Sequence, residues 1–423
     1  MRRLAMAALL LTAATAASAQ TTDQPVVPRP FRPIFGAVAE RPNGRQALDV
    51  SASLDQAFGE GDARLQEGSW FPDARVDVQY RRRTRSFTFT ALGGSSAQYY
   101  TQRARSQRLD RSHNAGATLE VPVGTRTRLR VGQSLAYATF YTLSGIPGAT
   151  ATSGEPVAPG EELIVPGVTS GAGSASGWQQ QLSTAVQRQL GRRGGLEARY
   201  GLGSGDVAGL RSEHREWGVR YTQGVTPAAS LVAGYSLSTG GTVGGVATQV
   251  GNVDLGIDYR KALSKFRNTT VAFTTGSAIV KGERQGQYRI LADARLVRLI
   301  GRTWTTTFDY NRGFEFMNAF GGFVAADTIT TSVGGFLSRS LEASASTSYT
   351  MGSLATPGGG DVTTTSAAVR VEYGFTRSIA VDAQYNYYAH DLGGVAASAT
   401  PLAPALSRQR VRAGLRLWFP ALR

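Results

Sequence analysis

The sequence contains no cysteine and only three histidines. The absence of cysteine excludes disulfides and thiolate metal sites. The histidines, His113, His214 and His390, are far apart in the sequence and make no pair at metal-ligand spacing. We therefore expect no metal site.

Signals for catalysis are also scarce. Ser212 lies two residues from His214, but nothing else marks a nucleophile, a base and an orienting partner at one place. The glycine runs at 240–241 and 358–360 do not stand between a strand and a helix, as a phosphate-binding loop would. The sequence predicts no enzyme and no cofactor. Its arginines alternate along segments and cluster in turns rather than on one patch, so no nucleic-acid partner is predicted.

Long hydrophobic runs are missing as well, and the mean hydropathy is only −0.18. The apolar run at 4–14 follows Arg2-Arg3 and precedes the small residues 17–19. This order is typical of a secretory signal peptide, here 1–19, and the run is short for a transmembrane anchor. The mature chain is then either soluble outside the cytoplasm or crosses a membrane as a β-barrel.

The final segment, 406–419, alternates with the period of two that indicates a strand. One face is almost entirely apolar: Gln409, Val411, Ala413, Leu415, Leu417 and Phe419. The other face is basic: Arg408, Arg410, Arg412, Gly414 and Arg416. A membrane barrel gives both faces a suitable environment, with lipid outside and a wet lumen inside.

The same alternation recurs along the chain in about eighteen segments, most of them near the length that a tilted membrane strand needs. The predicted strands are 46–58, 72–82, 85–93, 112–122, 126–142, 178–190, 195–203, 211–224, 229–238, 246–259, 267–278, 284–298, 303–313, 325–337, 341–351, 361–375, 379–390 and 406–419. Short and longer connections take turns, which is the rule for outer-membrane barrels. The predicted fold is all-β, a transmembrane antiparallel up-and-down β-barrel of residues 45–423, with sixteen strands as the alternative count.

Two features do not follow the repeat. Residues 20–44 contain Pro25, Pro28, Pro30, Pro33 and Pro42, which exclude regular structure and predict a periplasmic tail. Phe31 and Phe35 in this tail are candidates to enter the barrel mouth. Gln133 and Gln180 fall on the lipid side of their strands, a misfit that a bulge or a one-residue register error would remove.

The last strand resembles the C-terminal signal strand of bacterial outer-membrane β-barrels. The matching residues are Arg412, Gly414, Leu417 and Phe419, although family members usually stop at the aromatic residue. The whole mature chain resembles porin-like barrels by pattern. The resemblance implies an integral protein of the Gram-negative outer membrane, with lipids and the barrel-assembly machinery as partners.

Charge on the predicted lumen faces is balanced overall but uneven. The last strand carries the arginine ladder Arg408, Arg410, Arg412 and Arg416, and its neighbours in a closed barrel carry the facing acids Asp49, Asp55 and Asp382. The ladder and acids either set up a transverse field across the lumen or pair to hold the closing seam.

A barrel of this size leaves an aqueous channel unless something fills it. Thr328, Thr330, Ser332, Ser344, Ser346 and Ser348 predict a small, polar lumen wall. The sequence therefore predicts a porin-like channel for passive diffusion of small hydrophilic solutes, with anion preference left open. The alternatives are an export pore for an acidic exopolysaccharide and a structural or adhesive surface barrel. A homo-oligomer is a further open prediction, and Ala343, Ala345 and Thr347 offer it a flat outer face.

Overall fold

A computed structural model gives the architecture of the chain. It describes residues 34–35, 46–60, 68–100, 109–138, 177–245, 247–262, 269–281, 286–301, 303–355, 360–395 and 403–422. The predicted signal peptide, most of the proline-rich tail and the long connection at 143–176 lie outside the described residues. Across the described residues, no helix has the length and apolar character needed to cross a membrane.

Eighteen antiparallel strands account for nearly all of the described chain. They are β1 (Gln46–Glu60), β2 (Ser69–Arg83), β3 (Thr88–Tyr99), β4 (Leu109–Val123), β5 (Thr127–Ala138), β6 (Gly177–Leu190), β7 (Gly194–Val207), β8 (Leu210–Gly224), β9 (Ala229–Thr242), β10 (Thr248–Ala262), β11 (Thr269–Lys281), β12 (Gly286–Ile300), β13 (Trp304–Met317), β14 (Gly322–Phe336), β15 (Leu341–Leu354), β16 (Asp361–Gly374), β17 (Ile379–Asp391) and β18 (Ala405–Leu422). Each strand pairs with its neighbours in sequence, and β1 also pairs with β18. The sheet is therefore a closed barrel, and the predicted fold is confirmed.

The two ends of the barrel differ in their connections. At the end where β1 begins, the eight turns are three to six residues long. We call this the short-turn end. At the opposite end, the long-loop end, the connections range from two residues at 208–209 to 38 at 139–176. Short turns on one side and longer loops on the other are typical of outer-membrane barrels.

Alternating residues give the barrel an apolar outside. The outward side chains include many exposed aliphatic and aromatic residues, such as Val76, Val219, Leu231, Tyr235, Leu255, Ile257, Val369 and Leu415. In water this surface would be unfavourable, whereas in lipid it is the surface that burial in hydrocarbon requires. The inward side chains alternate with them and are mostly polar or small.

The closing seam is continuous along both strands that form it. β18 pairs with β1 from Gln409 opposite Glu60 to Leu422 opposite Leu48, with one register shift near the short-turn end. Pro420, Ala421 and Leu422, which the resemblance did not account for, therefore belong to β18.

One hairpin leaves the wall. β13 pairs with β12 only up to Arg312 opposite Ala292, but its pairing with β14 continues to Met317 opposite Gly322. We call residues 313–326 the inward hairpin, because residues near its tip contact β7, β8 and β9, several strands away. Its last three residues, 324–326, still pair with β15. Phe316 stacks on His214 of β8 with ring centroids 4.9 Å apart.

Candidate functional site

The arginine ladder of β18 lies against carboxylates on neighbouring strands. Arg410 Nη2 is 2.5 Å from Asp73 Oδ2 on β2. Arg412 is 3.7 Å from Asp55 on β1. Arg416 is 3.1 Å from Glu372 on β16.

A fourth arginine completes the cluster. Arg370 on β16 lies 2.5 Å from Glu372 and 3.9 Å from Asp382. We call these eight residues the seam network: Asp55, Asp73, Arg370, Glu372, Asp382, Arg410, Arg412 and Arg416. Four arginines face four carboxylates, so the formal charges of the network cancel. Its side chains are largely buried, between 1% and 20% exposed.

Two glycines lie within this arrangement. Gly59 of β1 lies opposite Arg410, and a Cβ at position 59 would come within 3.2 Å of the Phe71 ring and 3.6 Å of Arg408 Nη2. Gly414 of β18 lies opposite both Asp55 and Asp382. A Cβ at position 414 would overlap Asp55 Oδ1 and the Leu54 carbonyl oxygen. A larger residue there would push β1 and β18 apart at the seam.

The predicted facing acids occupy different parts of this arrangement. Asp55 faces Arg412. Asp382 lies opposite Gly414 and faces Arg370 rather than the ladder. Asp49 lies nearer the short-turn end, opposite Pro420 and Gln79.

Arg408, the remaining ladder residue, is buried on the lumen side of β18. The sequence interpretation missed Asp73 and the pairing of Glu372 with the ladder. It considered only strands adjacent to β18, whereas Arg410 and Arg416 each reach across one strand. Asp73 is two residues before Arg75 and four before Asp77, so it lies on the same inward face of β2. This alternation in the sequence could have identified Asp73 as a lumen-facing acid.

The wall formed by β14, β15 and β16 is lined with hydroxyls. Thr330 donates to Ser348 over 3.1 Å, and Thr328 and Thr350 are 3.0 Å apart. Ser332 lies opposite Ser346 in the register. These hydroxyl side chains are small and uncharged, in contrast to the seam network, which includes Arg370 and Glu372 of β16.

The inward hairpin narrows the long-loop end. The Ser212 hydroxyl on β8 donates to Asn318 Oδ1 over 2.8 Å, at the tip of the hairpin. Gly240 on β9 leaves the space that the Phe316 ring occupies. The tip is thus fixed to the β8–β9 wall by packing and by a buried hydrogen bond.

An apolar cluster extends from this tip across the mouth. Its members are Val207, Met317, Ala319, Phe320, Val324, Ala326, Leu354, Val362 and Leu392. Val207 ends β7 and Val362 lies near the start of β16, half-way round the closed sheet from β7. The cluster therefore spans the lumen at the long-loop end.

The N-terminal tail touches the opposite mouth. The Ile34 N–H donates to the Arg339 carbonyl oxygen over 2.8 Å. The Arg416 guanidinium lies 5.6 Å from the centre of the Phe35 ring. Phe35 also packs on the inward side of Gly374. Phe31, the other predicted aromatic of the tail, lies outside the described residues.

The three histidines do not come together. His113 is on the outer face of β4, where it bonds Ser95 over 3.0 Å. His214 packs under the inward hairpin. His390, on β17, bonds the Ala403 carbonyl over 2.9 Å. Ser212 shares the inner face of β8 with His214, but its hydroxyl is engaged by Asn318.

These features define the class of the protein: it is an integral β-barrel of the bacterial outer-membrane type. No protein-family model matches the chain, and no curated protein matches its sequence. Solved structures with a similar fold include OccAB4 of Acinetobacter baumannii, at 10% identity over 90% of this chain and 100% of that one, with a TM-score of 0.45.

Two further structures are similar to a comparable degree. OccAB3 of Acinetobacter baumannii has 9% identity over 88% of this chain and 99% of that one, with a TM-score of 0.43. The siderophore receptor PirA of Pseudomonas aeruginosa has 7% identity over 90% and 81%, with a TM-score of 0.41. The class assignment rests on this chain's own closed sheet and apolar outer face.

Proposed function

We propose that the barrel is a porin-like channel through which small hydrophilic solutes diffuse passively across the outer membrane. The observation that carries the proposal is the composition of the lumen wall. Hydroxyl side chains line β14 to β16, and the adjoining seam network is charged but internally neutral. Such a wall favours water and polar solutes over a packed apolar filling.

The inward hairpin and Phe35 would act as constrictions at the two ends. A narrow, off-centre passage limits solute size without requiring a specific binding pocket. The activity is physical transport, and the proposal assigns no catalytic residue.

The pairing within the seam network argues for weak ion selectivity. Arg410, Arg412 and Arg416 each lie against a carboxylate, so little uncompensated positive potential is left for permeating anions. Anion preference, which the ladder suggested, is therefore expected to be small. The same pairing disfavours export of an acidic polysaccharide, which would need arginines available to a polyanion.

Reversal potentials test this proposal. Purified protein in planar bilayers, with a KCl gradient across the membrane, should give stepwise conductance with a reversal potential close to zero. A strong anion preference would contradict the neutral seam and support the polyanion alternative. Protein that is folded but gives no steps would contradict a channel and support a structural or adhesive barrel.

A further inference from the structure

Two glutamines stand on the outer face of the barrel. Gln133 of β5 and Gln180 of β6 are both exposed. Gln133 lies opposite Leu182, and Leu135 lies opposite Gln180, so the two amides are diagonal neighbours. The pairing of β4 with β5, β5 with β6 and β6 with β7 runs without a register shift. The bulge or register error suggested by the sequence is therefore wrong.

Both amides lie on the hydrocarbon side of an aromatic pair. Tyr137 and Trp178 lie opposite each other near the long-loop end and mark the aromatic level of the membrane interface. Gln180 lies one outward position below this level, and Gln133 lies two positions below it. A primary amide in hydrocarbon is unfavourable unless it is hydrogen-bonded. In the described part of the chain, neither amide has such a bond.

Small residues lie beside the glutamines on the two flanking strands, and the nearest outward charges, Glu213 and Arg215, are on β8. On β4, Ala117 lies opposite Gln133 and Ala115 lies opposite Leu135. On β7, Ser204 lies opposite Gln180. Small side chains permit close approach of another protein surface within a membrane. We call Ala115, Ala117, Gln133 and Gln180 the glutamine patch.

We propose that the glutamine patch is the interface of a homodimer in the membrane. An amide both donates and accepts, so a glutamine can form a reciprocal pair of hydrogen bonds with a second glutamine. Across a two-fold axis each patch meets an identical patch, and both amides find the partners that lipid does not supply. The patch has no charge to hold a lipid phosphate, and an acyl chain cannot hydrogen-bond.

The chain contains its own control. Gln56 of β1 is also exposed on the outer face, with Ala413 and Pro72 as its cross-strand neighbours. It is a single amide one position below the aromatic pair Phe58 and Trp70, whose rings are 5.3 Å apart. Gln56 thus lies as far from its aromatic pair as Gln180 does, but it has no second amide beside it. It therefore serves as a control for a lone outward glutamine.

Cysteine cross-linking in membranes tests the proposal, because the chain has no native cysteine. Ala115→Cys in the full-length protein should yield a disulfide-linked dimer on oxidation, whereas Val369→Cys on the outer face of β16 should not. Adding Gln133→Leu and Gln180→Leu to Ala115→Cys should lower the dimer yield about tenfold, the effect of losing hydrogen bonds within a membrane. Adding Gln56→Leu instead should leave the yield unchanged.

Three results would overturn the dimer. One is the absence of a dimer from Ala115→Cys in barrels that retain their heat-modifiable folded migration. Another is an equal yield from Val369→Cys. The third is a cross-linked product whose mass shows a different protein. The outcome is independent of conductance, because a barrel that passes no ions can still dimerise through this face.

Discussion

Arg410 on β18 reaches across β1 to Asp73 on β2, and the two side chains are only 8% and 3% exposed. The guanidinium also lies 5.1 Å from the centre of the Phe71 ring. This contact joins the last strand, β18, to the second strand, β2. It therefore links two strands that lie on either side of β1, in addition to the β1–β18 pairing that closes the barrel. The ladder therefore has a structural role that is separate from any effect on permeating ions.

Removing the carboxylate of this pair should weaken the barrel. Asp73→Asn leaves a buried arginine without its counter-charge, which typically costs about 3–5 kcal/mol. We expect a clear fall in the temperature at which the barrel loses its compact migration on gels. The matched control is Asp77→Asn on the same strand, whose ion pair with Arg75 is 35–41% exposed. It should cost no more than about 1 kcal/mol, and equal effects of the two substitutions would contradict the seam's role.

Gly414 should be required for closure of the barrel itself. Gly414→Ala places a methyl group against Asp55 and the Leu54 carbonyl, so β1 and β18 cannot keep their register. We expect a low yield of folded barrel when the purified chain is refolded in detergent, without assembly machinery. Gly93→Ala on β3 is the control, since the nearest atom to its new Cβ is 3.8 Å away. Normal refolding of Gly414→Ala would instead favour a role confined to recognition during assembly.

Loosening the inward hairpin should widen the long-loop end. Phe316→Ala with Ser212→Ala removes the ring stacking on His214 and the hydrogen bond to Asn318. Single-channel conductance should then rise, with more frequent flicker between levels as the tip moves. The control is Phe308→Ala on β13, the strand that also carries Phe316. Phe308 is on the outer face and 40% exposed, so its loss should leave the conductance unchanged. An unaltered conductance in the double variant would show that the hairpin does not limit the current.

Phe35 should restrict the short-turn end. Phe35→Ala removes the ring that lies beside Arg416 and keeps the Cβ and backbone atoms that lie nearest Gly374. We expect a larger conductance step, because the alanine side chain is too small to cover the lumen wall at the short-turn end. Gly374→Val is the complementary variant: it displaces Phe35 by overlap and should raise the conductance to a similar extent. Opposite effects of the two substitutions would exclude Phe35 as the obstruction.

The barrel was predictable because its signal repeats. The alternation indicates both that a segment is a strand and which of its faces contacts lipid. On β16, for example, Val369, Val371 and Tyr373 alternate with Arg370 and Glu372. Each strand repeats the signal, so errors at strand ends do not alter the fold, even where they reach six residues, as at the end of β3, predicted at 93 and observed at Tyr99. The inner and outer faces of β18 follow the sequence in the same way.

The inward hairpin was not predicted, although the sequence carries a trace of it. Between Phe314 and Ala326 the apolar residues no longer alternate but form a nearly continuous run. A strand buried on both faces has this pattern. Its destination on β8 depends on contacts across the lumen, such as Ser212 with Asn318, which no local pattern encodes. For the longest connection, at 143–177, the sequence left open whether it folds into the lumen or stands outside, and it lies almost wholly outside the described residues.

The reach of Arg410 to Asp73 was likewise hidden. In a closed up-and-down sheet, the order of the strands in the sequence tells which strands are neighbours. It does not tell which side chains reach over a neighbouring strand to the next one. Arg410 lies opposite Gly59 and Asp73 lies opposite Asp55, so the two side chains meet along a diagonal that only the pairing of the strands reveals.

The departure of the inward hairpin also alters how the barrel sits in its bilayer. Among the described residues, β12 has no β13 partner from Gly286 to Leu291. Backbone N–H and C=O groups on that edge need water, because hydrocarbon cannot hydrogen-bond them. The hydrocarbon boundary must then lie lower beside β12 than around the rest of the circumference. The barrel thus presents a belt of uneven height, and we expect it to tilt or to thin the outer leaflet on that one side.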